Sequence, residues 1–401
     1  MTTSAALKKQ LPTGIWVLGF VSLLMDVSSE IIHSLLPVYL VSVLGASALL
    51  VGLIEGAAEA TAQIVKVFSG ALSDYLGKRK GLAVLGYGLG ALTKPVFALA
   101  TGIGWIIAAR LTDRVGKGIR GAPRDALVAD LAPASLRGAA YGLRQSLDTV
   151  GAFLGPLLAI GLMLLWDNDY QAVFWVAVIP AFLGVALLVV GIREPEAPIT
   201  ERRTNPISRE SLKQLNRAYW MVVVIGALFT LARFSEAFLL LRAEDGGLEV
   251  ALLPLVLVVM NIAYALCAYP FGKLSDQMGH RQLLIMGLLV LIVADVILAV
   301  ASHWLWTLVG VAIWGVHMGM TQGLLATMVA DTAPKALRGT AFGFFNLVSG
   351  ISLFLASTTA GLLWTWGGPA LPFLVGAIIC VLTIVLIAFH RTIFRLHGQQ
   401  Q

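Results

Sequence analysis

Twelve long apolar stretches, each about the length that crosses a hydrocarbon layer, follow one another along this chain with only short polar breaks between them. Their approximate limits are 14–43, 48–74, 80–101, 104–131, 138–166, 170–192, 218–241, 250–275, 281–301, 304–331, 339–366 and 369–391. Lipid offers no partner to exposed backbone N–H and C=O groups, so such segments must be helices or the strands of a closed barrel. The short alternating segments of a barrel do not occur. The expected fold class is therefore an all-α membrane protein with twelve transmembrane helices. Composition points the same way: 58% of the 401 residues are hydrophobic and 12% are charged, about half the charge of an ordinary soluble domain at roughly 25%. That excludes a soluble enzyme and a disordered chain. The net charge is +6, but the basic residues cluster at the ends of the apolar spans, so no nucleic-acid partner is expected. Cys267 and Cys380 both sit inside apolar stretches, which argues against a disulfide framework or a cysteine metal site. The first span is too long for a signal-peptide core and is read as a retained helix.

Lys8, Lys9, Lys78, Arg79, Lys80, Arg137, the 193–217 stretch, Lys273, Arg281, Lys335, Arg338, Arg391 and Arg395 fall on one side of the layer. The other side carries Asp167, Asp169, Glu244, Asp245 and Glu249, with Arg242 as its only strong base. By the positive-inside rule both termini are cytoplasmic, in a multi-pass protein of the inner or plasma membrane. The longest polar stretch, 193–217, reads as a solvated cytoplasmic linker between residues 1–192 and 218–401.

Those two parts repeat. Gly70-Ala-Leu-Ser-Asp74 returns as Gly272-Lys-Leu-Ser-Asp276, and Ala129-Asp130-Leu-Ala-Pro133 returns as Ala330-Asp331-Thr-Ala-Pro334, at offsets of 202 and 201 residues. Ser29-Glu30 matches Ser235-Glu236, and Glu59 aligns with Asn261. Two pseudo-symmetric six-helix bundles are expected, and paired repeats point to a transporter with its site near mid-membrane at their interface.

These residues resemble the major facilitator superfamily over essentially the whole chain. Residues 70–80 are similar to that family's signature between helices 2 and 3, and 272–281 to its degenerate copy between helices 8 and 9. Tyr75 stands where the family often has a basic residue. Arg110-Leu-Thr-Asp113-Arg114-Val-Gly116 resembles the helix-4 signature, with Arg114 in place of its usual glycine. Gly142, Gly151, Gly155 and Pro156 have the spacing of the helix-5 packing motif of proton-coupled antiporters, with Ala159 and Ile160 replacing its final glycine pair. The resemblance implies the major facilitator fold, alternating access by rocking of the bundles, and a monomer.

Ionisable side chains deep in a membrane are costly and face a cavity or a partner. Here they form stripes at helical spacing: Asp26, Glu30 and His33; Glu55, Glu59, Gln63 and Lys66; Arg110, Asp113, Arg114 and Lys117; Arg144 and Asp148; Arg233 and Glu236. Each acid reads either as half of a structural ion pair or as a proton carrier. Asp26, Glu30 and Glu59 have no base on their own turn and lead the proton candidates, ahead of Asp113, Asp148 and Glu236. Candidate solute contacts are His33, Arg110, Arg114, Arg144, Arg233, Asn261, Tyr264, Trp314, His317 and Gln322. The four arginines suit a carboxylate or phosphate. Asp74, Lys78, Arg79, Asp130 and Arg137, with Asp276, Arg281, Asp331 and Arg338, are expected to form a cytoplasmic gate of ion pairs in the outward-facing state.

Arg120-Gly121-Ala-Pro123 is expected to interrupt and kink the fourth helix. The preceding Gly-Lys-Gly-Ile lacks the ending and the strand of a phosphate loop, so no nucleotide, cofactor or metal is expected, and no catalytic triad appears. The expected function is a secondary active transporter of a small organic solute, coupled to protons, with efflux by antiport as the first reading. Proton-coupled import of an organic anion or a metal-chelating metabolite is the alternative, and a lipid flippase another.

Overall fold

The computed structural model describes residues 11–76, 78–133, 136–193, 212–275, 278–321, 323–334 and 337–389. Asp276, Gln322 and most of the linker lie outside the described residues. Twelve spans are present: α1 (Thr13–Val43), α2 (Ala48–Leu76), α3 (Arg79–Leu99), α4 (Ile103–Leu131), α5 (Arg137–Leu165), α6 (Tyr170–Gly191), α7 (Arg217–Asp245), α8 (Leu255–Ser275), α9 (His280–Val300), α10 (Trp304–Thr332), α11 (Arg338–Gly367) and α12 (Leu371–Phe389). Among the described residues no strand is present. Among the described residues eleven spans are long and apolar enough to cross a membrane by length and composition alone, and α4 is not one of them. Its charges are sheltered because it packs between α2 and α3. Contrary to expectation, α4 runs unbroken through Pro123.

Packing follows a twofold pattern. In the first bundle α1 lies on α5 and α6, α3 on α4 and α6, and α2 on α4. In the second, α7 lies on α11 and α12, α9 on α10 and α12, and α8 on α10. The bundles meet where α2 crosses α11 and α5 crosses α8, a pair of contacts that the same twofold exchanges. The glycines that looked like a phosphate loop are packing residues. A side chain on Gly116 would meet the Gly86 carbonyl of α3 at 2.6 Å, and one on Gly118 would meet Val65 of α2 at 2.6 Å.

Two spans break at matching places. Helix α1 is regular over Thr13–His33, turns at Ser34 and Leu35, and continues as Leu36–Val38 and a wider π turn at Tyr39–Val43. Helix α7 stops at Ala232 and resumes at Ala237. Backbone freed in such a break needs partners inside the protein, and Ser357 of α11 supplies one by accepting from the Ser235 N–H at 3.1 Å.

The end at which α1 starts and α12 finishes is here called the terminal end, the opposite one the far end. At the far end the bundles are in contact. Ser42 donates to Glu244 across the interface at 2.5 Å. A side chain on Gly52 would collide with the Ser357 carbonyl, one on Gly56 would press on the Phe354 carbonyl at 3.0 Å, and one on Gly361 would meet the Ala48 carbonyl at 2.5 Å.

Candidate functional site

From mid-height toward the terminal end the bundles part around a cavity of about 440 Å³. A second chamber of about 440 Å³ shares Gln145 and Tyr264 with it and reaches His280 at the start of α9. The walls are unlike. The first bundle supplies Asp26, Glu30, Glu59, Lys66, Lys117, Arg120, Arg124 and Asp148, while the second supplies Asn261, Tyr264 and Met318.

The glycines of α5 determine how deeply α1 sits. A side chain on Gly151 would lie 2.9 Å from the Asp26 Cβ, and one on Gly155 2.5 Å from the Glu30 Cβ. Both acids are therefore carried on a helix whose approach only glycine permits. Gly142, expected to belong to the same packing motif, has nothing within 4 Å of its Cβ position. Pro156 lacks the N–H that would bond the carbonyl four residues earlier. That carbonyl, Ala152, borders the cavity and accepts from Asn261 Nδ2 of α8 at 3.4 Å, a link between the bundles.

Most of the ionic side chains are paired. Arg110 grips Glu55 through two nitrogens, Nε to Oε1 at 3.1 Å and Nη2 to Oε2 at 2.5 Å. His33 lies between Glu30 and Glu55, 3.5 Å from each. Arg114 pairs with Glu59 at 3.1 Å. Asp113 accepts from Lys94 at 2.9 Å, and Arg114 stands 3.9 Å away. Arg144 holds Asp148 at 2.6 Å, and Arg124 lies between Asp125 at 3.2 Å and Asp148 at 4.0 Å. These pairs are almost fully buried at Arg110, Glu55, Asp113 and Arg114, where an ion tolerates desolvation only with a good partner.

The expected solute contacts divide accordingly. Asn261 and Tyr264 are on the cavity wall. Arg110, Arg114 and Arg144 are buried and already hold carboxylates, so three of the four arginines expected to suit an anion are occupied. His317 is buried, stacks on Phe229 and bonds the Gly287 carbonyl at 2.8 Å. Trp314 is buried against Phe234. Arg233 and Glu236 flank the break in α7, without an ion pair within 4.0 Å among the described residues. Of the proton candidates, Asp26, Glu30, Glu59 and Asp148 reach the wall, and Asp113 and Glu236 do not. Asp26 alone among those four has no ion-pair partner among the described residues.

The sequence profile of the Major Facilitator Superfamily matches residues 18–254 and 222–399. The chain belongs to this superfamily. An MFS-type transporter of Methanocaldococcus jannaschii is 32% identical over 391 residues, 95% of this chain and 96% of that one. The multidrug resistance protein MdtH of Photorhabdus laumondii is 28% identical, with 94% of each chain covered. A crystal structure of a peptide transporter, POT, superposes with a TM-score of 0.80 at 16% identity, covering 96% of this chain and 95% of that chain. The superfamily assignment makes the chain a multi-pass membrane transporter of some solute and not an enzyme.

Within this superfamily transporter the expected gate residues act inside each bundle in the present state. Arg79 of α3 pairs with Asp130 of α4, and His280 of α9 faces Asp331 of α10 at 4.0 Å. Arg137 donates to the Ala129 carbonyl at 3.3 Å, and Arg338 to Ala330 at 3.2 Å, each capping the preceding helix. Arg281 donates to the Ala388 carbonyl of α12 at 3.1 Å. Lys78 is exposed at the turn before α3. The backbone of Asp74 belongs to α2, and its side chain lies outside what is described.

Two buried ionisable side chains stand outside the stripes. Lys94 is the partner of Asp113, and Asp295 on α9 has neither carboxylate oxygen hydrogen-bonded among the described residues. The two stand 201 residues apart, the repeat offset itself. A lone ionisable side chain in an otherwise apolar stretch, at matching register in both repeats, was the signal available.

Proposed function

We propose that this chain moves a small organic solute by alternating access, coupled to a proton carried on Asp26. The carrying observation is that Asp26 borders the cavity and lacks the base that neutralises Glu30, Glu59 and Asp148. An acid reachable from the cavity and free of a fixed counter-ion can exchange protons with it, whereas a paired acid stays ionised. In this reading the terminal end faces the cytoplasm, by the distribution of Lys and Arg, and the present state is inward-open. Arg79, Asp130, Arg137, Asp331 and Arg338 then engage across the bundles when the cavity opens the other way, and the protein works as a monomer in the cell membrane.

Exchange of solute for proton in the efflux direction is supported by Gly151, Gly155 and Pro156 and by the multidrug-resistance relative. Co-transport of an organic anion is supported by the cations of the cavity wall. The test is proteoliposome uptake under an imposed pH gradient, with benzoate and benzylammonium as paired probes. Asp26→Asn should reduce gradient-driven accumulation at least tenfold, and Glu30→Gln and Glu59→Gln less. Full accumulation by Asp26→Asn would remove Asp26 from the coupling.

A further inference from the structure

We propose that Lys66, Lys117 and Arg120 form a subsite for an anionic group on the solute, and that this anion and the proton on Asp26 bind together rather than in competition. The proposal rests on the reading of Asp26 as proton carrier and adds the substrate class and the sign of the coupling.

The three cations border one cavity and have no carboxylate within 4.0 Å among the described residues. Lys66 lays its stem across Gly121 of α4, with Cγ, Cδ and Cε 3.5–3.6 Å from the Gly121 Cβ position. Lys117 is one helical turn before Gly121, and Arg120 three residues after Lys117, so the positive groups gather on one face. Arg120 is buried, with its guanidinium 4.7 Å from the Tyr87 ring centre. Lys66 and Lys117 are open to the cavity. Elsewhere on the wall the acids are matched: Glu59 by Arg114, Asp148 by Arg144, and Glu30 by His33. What remains is three cations against Asp26. An entering carboxylate or phosphonate relieves the repulsion among them, while Asn261, Tyr264 and Met318 offer the rest of the solute an uncharged wall.

The sign of coupling follows from the neighbours of Asp26. The charged groups within electrostatic reach of it are Lys117, Arg120 and Arg124 of α4 and Asp148 of α5. A proton on Asp26 removes a negative charge from the place the anion approaches and raises its affinity. By reciprocity, the bound anion raises the affinity for the proton. Ligands that assist each other travel together, so an anionic solute is co-transported. A cationic solute would compete with the proton and be exchanged for it.

The experiment uses the purified full-length chain in detergent with four probes that share one ring: benzoate, phenylphosphonate, benzylammonium and benzyl alcohol. Thermal shift reads binding, and an indicator dye in weak buffer reads proton uptake. At least one anion should raise the melting temperature and draw protons from solution. Lys66→Gln and Lys117→Gln should each weaken that anion about tenfold or more, and Lys117→Arg should restore it. Asp26→Asn should bind the anion without proton uptake. Binding of benzylammonium alone, proton release on anion binding, no anion binding, or Gln variants that bind like the parent would overturn the subsite. Proton uptake that survives Asp26→Asn would instead overturn the Asp26 assignment and leave the lysine subsite standing.

Discussion

The two bundles share one packing plan and differ in what fills it. In the first, the interior is a chain of ion pairs running from Glu55 and Arg110 through Glu59 and Arg114 to Asp113 and Lys94. In the second, the positions 201 residues further on hold other chemistry: Trp314 for Asp113, Gly315 for Arg114, Met318 for Lys117 and Phe345 for Arg144. One repeat keeps the helices together through directional charge pairs, the other through aromatic and aliphatic packing. The difference teaches that the fold constrains where side chains meet, and not whether the meeting is ionic. It also puts the charged wall of the cavity on the first bundle and the uncharged wall, with Asn261, Tyr264 and Met318, on the second.

The contrast predicts opposite outcomes for matched substitutions. Lys94→Met removes the close partner of the buried Asp113 carboxylate, leaving only Arg114 at 3.9 Å, and should destabilise the protein by about 3 kcal/mol, read as a lower melting temperature in detergent. Gly155→Ala forces a methyl group against Glu30 and should cost about 1–3 kcal/mol. The corresponding residue of α11 is already Ala356. Gly142→Ala, with open space around it, should be neutral or stabilising by up to about 1 kcal/mol. Asp295→Asn replaces a buried carboxyl group that has no hydrogen-bond partner to lose among the described residues with an amide of the same shape, and should stay within about 1 kcal/mol of the parent. A large loss there would mean that the second bundle also depends on an ionic interior. Ser42→Ala deletes the hydrogen bond to Glu244. Its loss of about 1 kcal/mol should raise the far-open population roughly fivefold, measurable by the distance between spin labels on the far ends of α1 and α7.

The architecture was legible in the sequence because bilayer thickness and backbone satisfaction leave few choices, and because Gly70–Asp74 and Ala129–Pro133 each recur one repeat later. The site was legible only in part. Spacing along one helix identified Asp26, Glu30, Glu59 and Asp148 as inward-facing, and all four reach the cavity. It could not identify partners, which come from other helices. Arg110 and Arg114 are three and four residues from acids or bases on α4 itself, yet their strongest pairings are to Glu55 and Glu59 of α2. Pairing across helices decides which cations stand without a carboxylate, and on the cavity wall it leaves Lys66, Lys117 and Arg120 among the described residues. Lys94 and Asp295 illustrate the same point from the other direction: each stands alone in its span, so a pattern sought along one helix passes over it.

The seam where Gly52, Gly56 and Gly361 bring α2 against α11 has a mechanical consequence. Main chain touches main chain there, with no side-chain torsions to absorb a displacement. Sliding the halves past each other would drive carbonyls into Cα atoms at once, whereas tilting them apart only lengthens the gap. The seam therefore behaves as a rolling edge, and the molecule's freedom to alternate is a matter of angle rather than of shear.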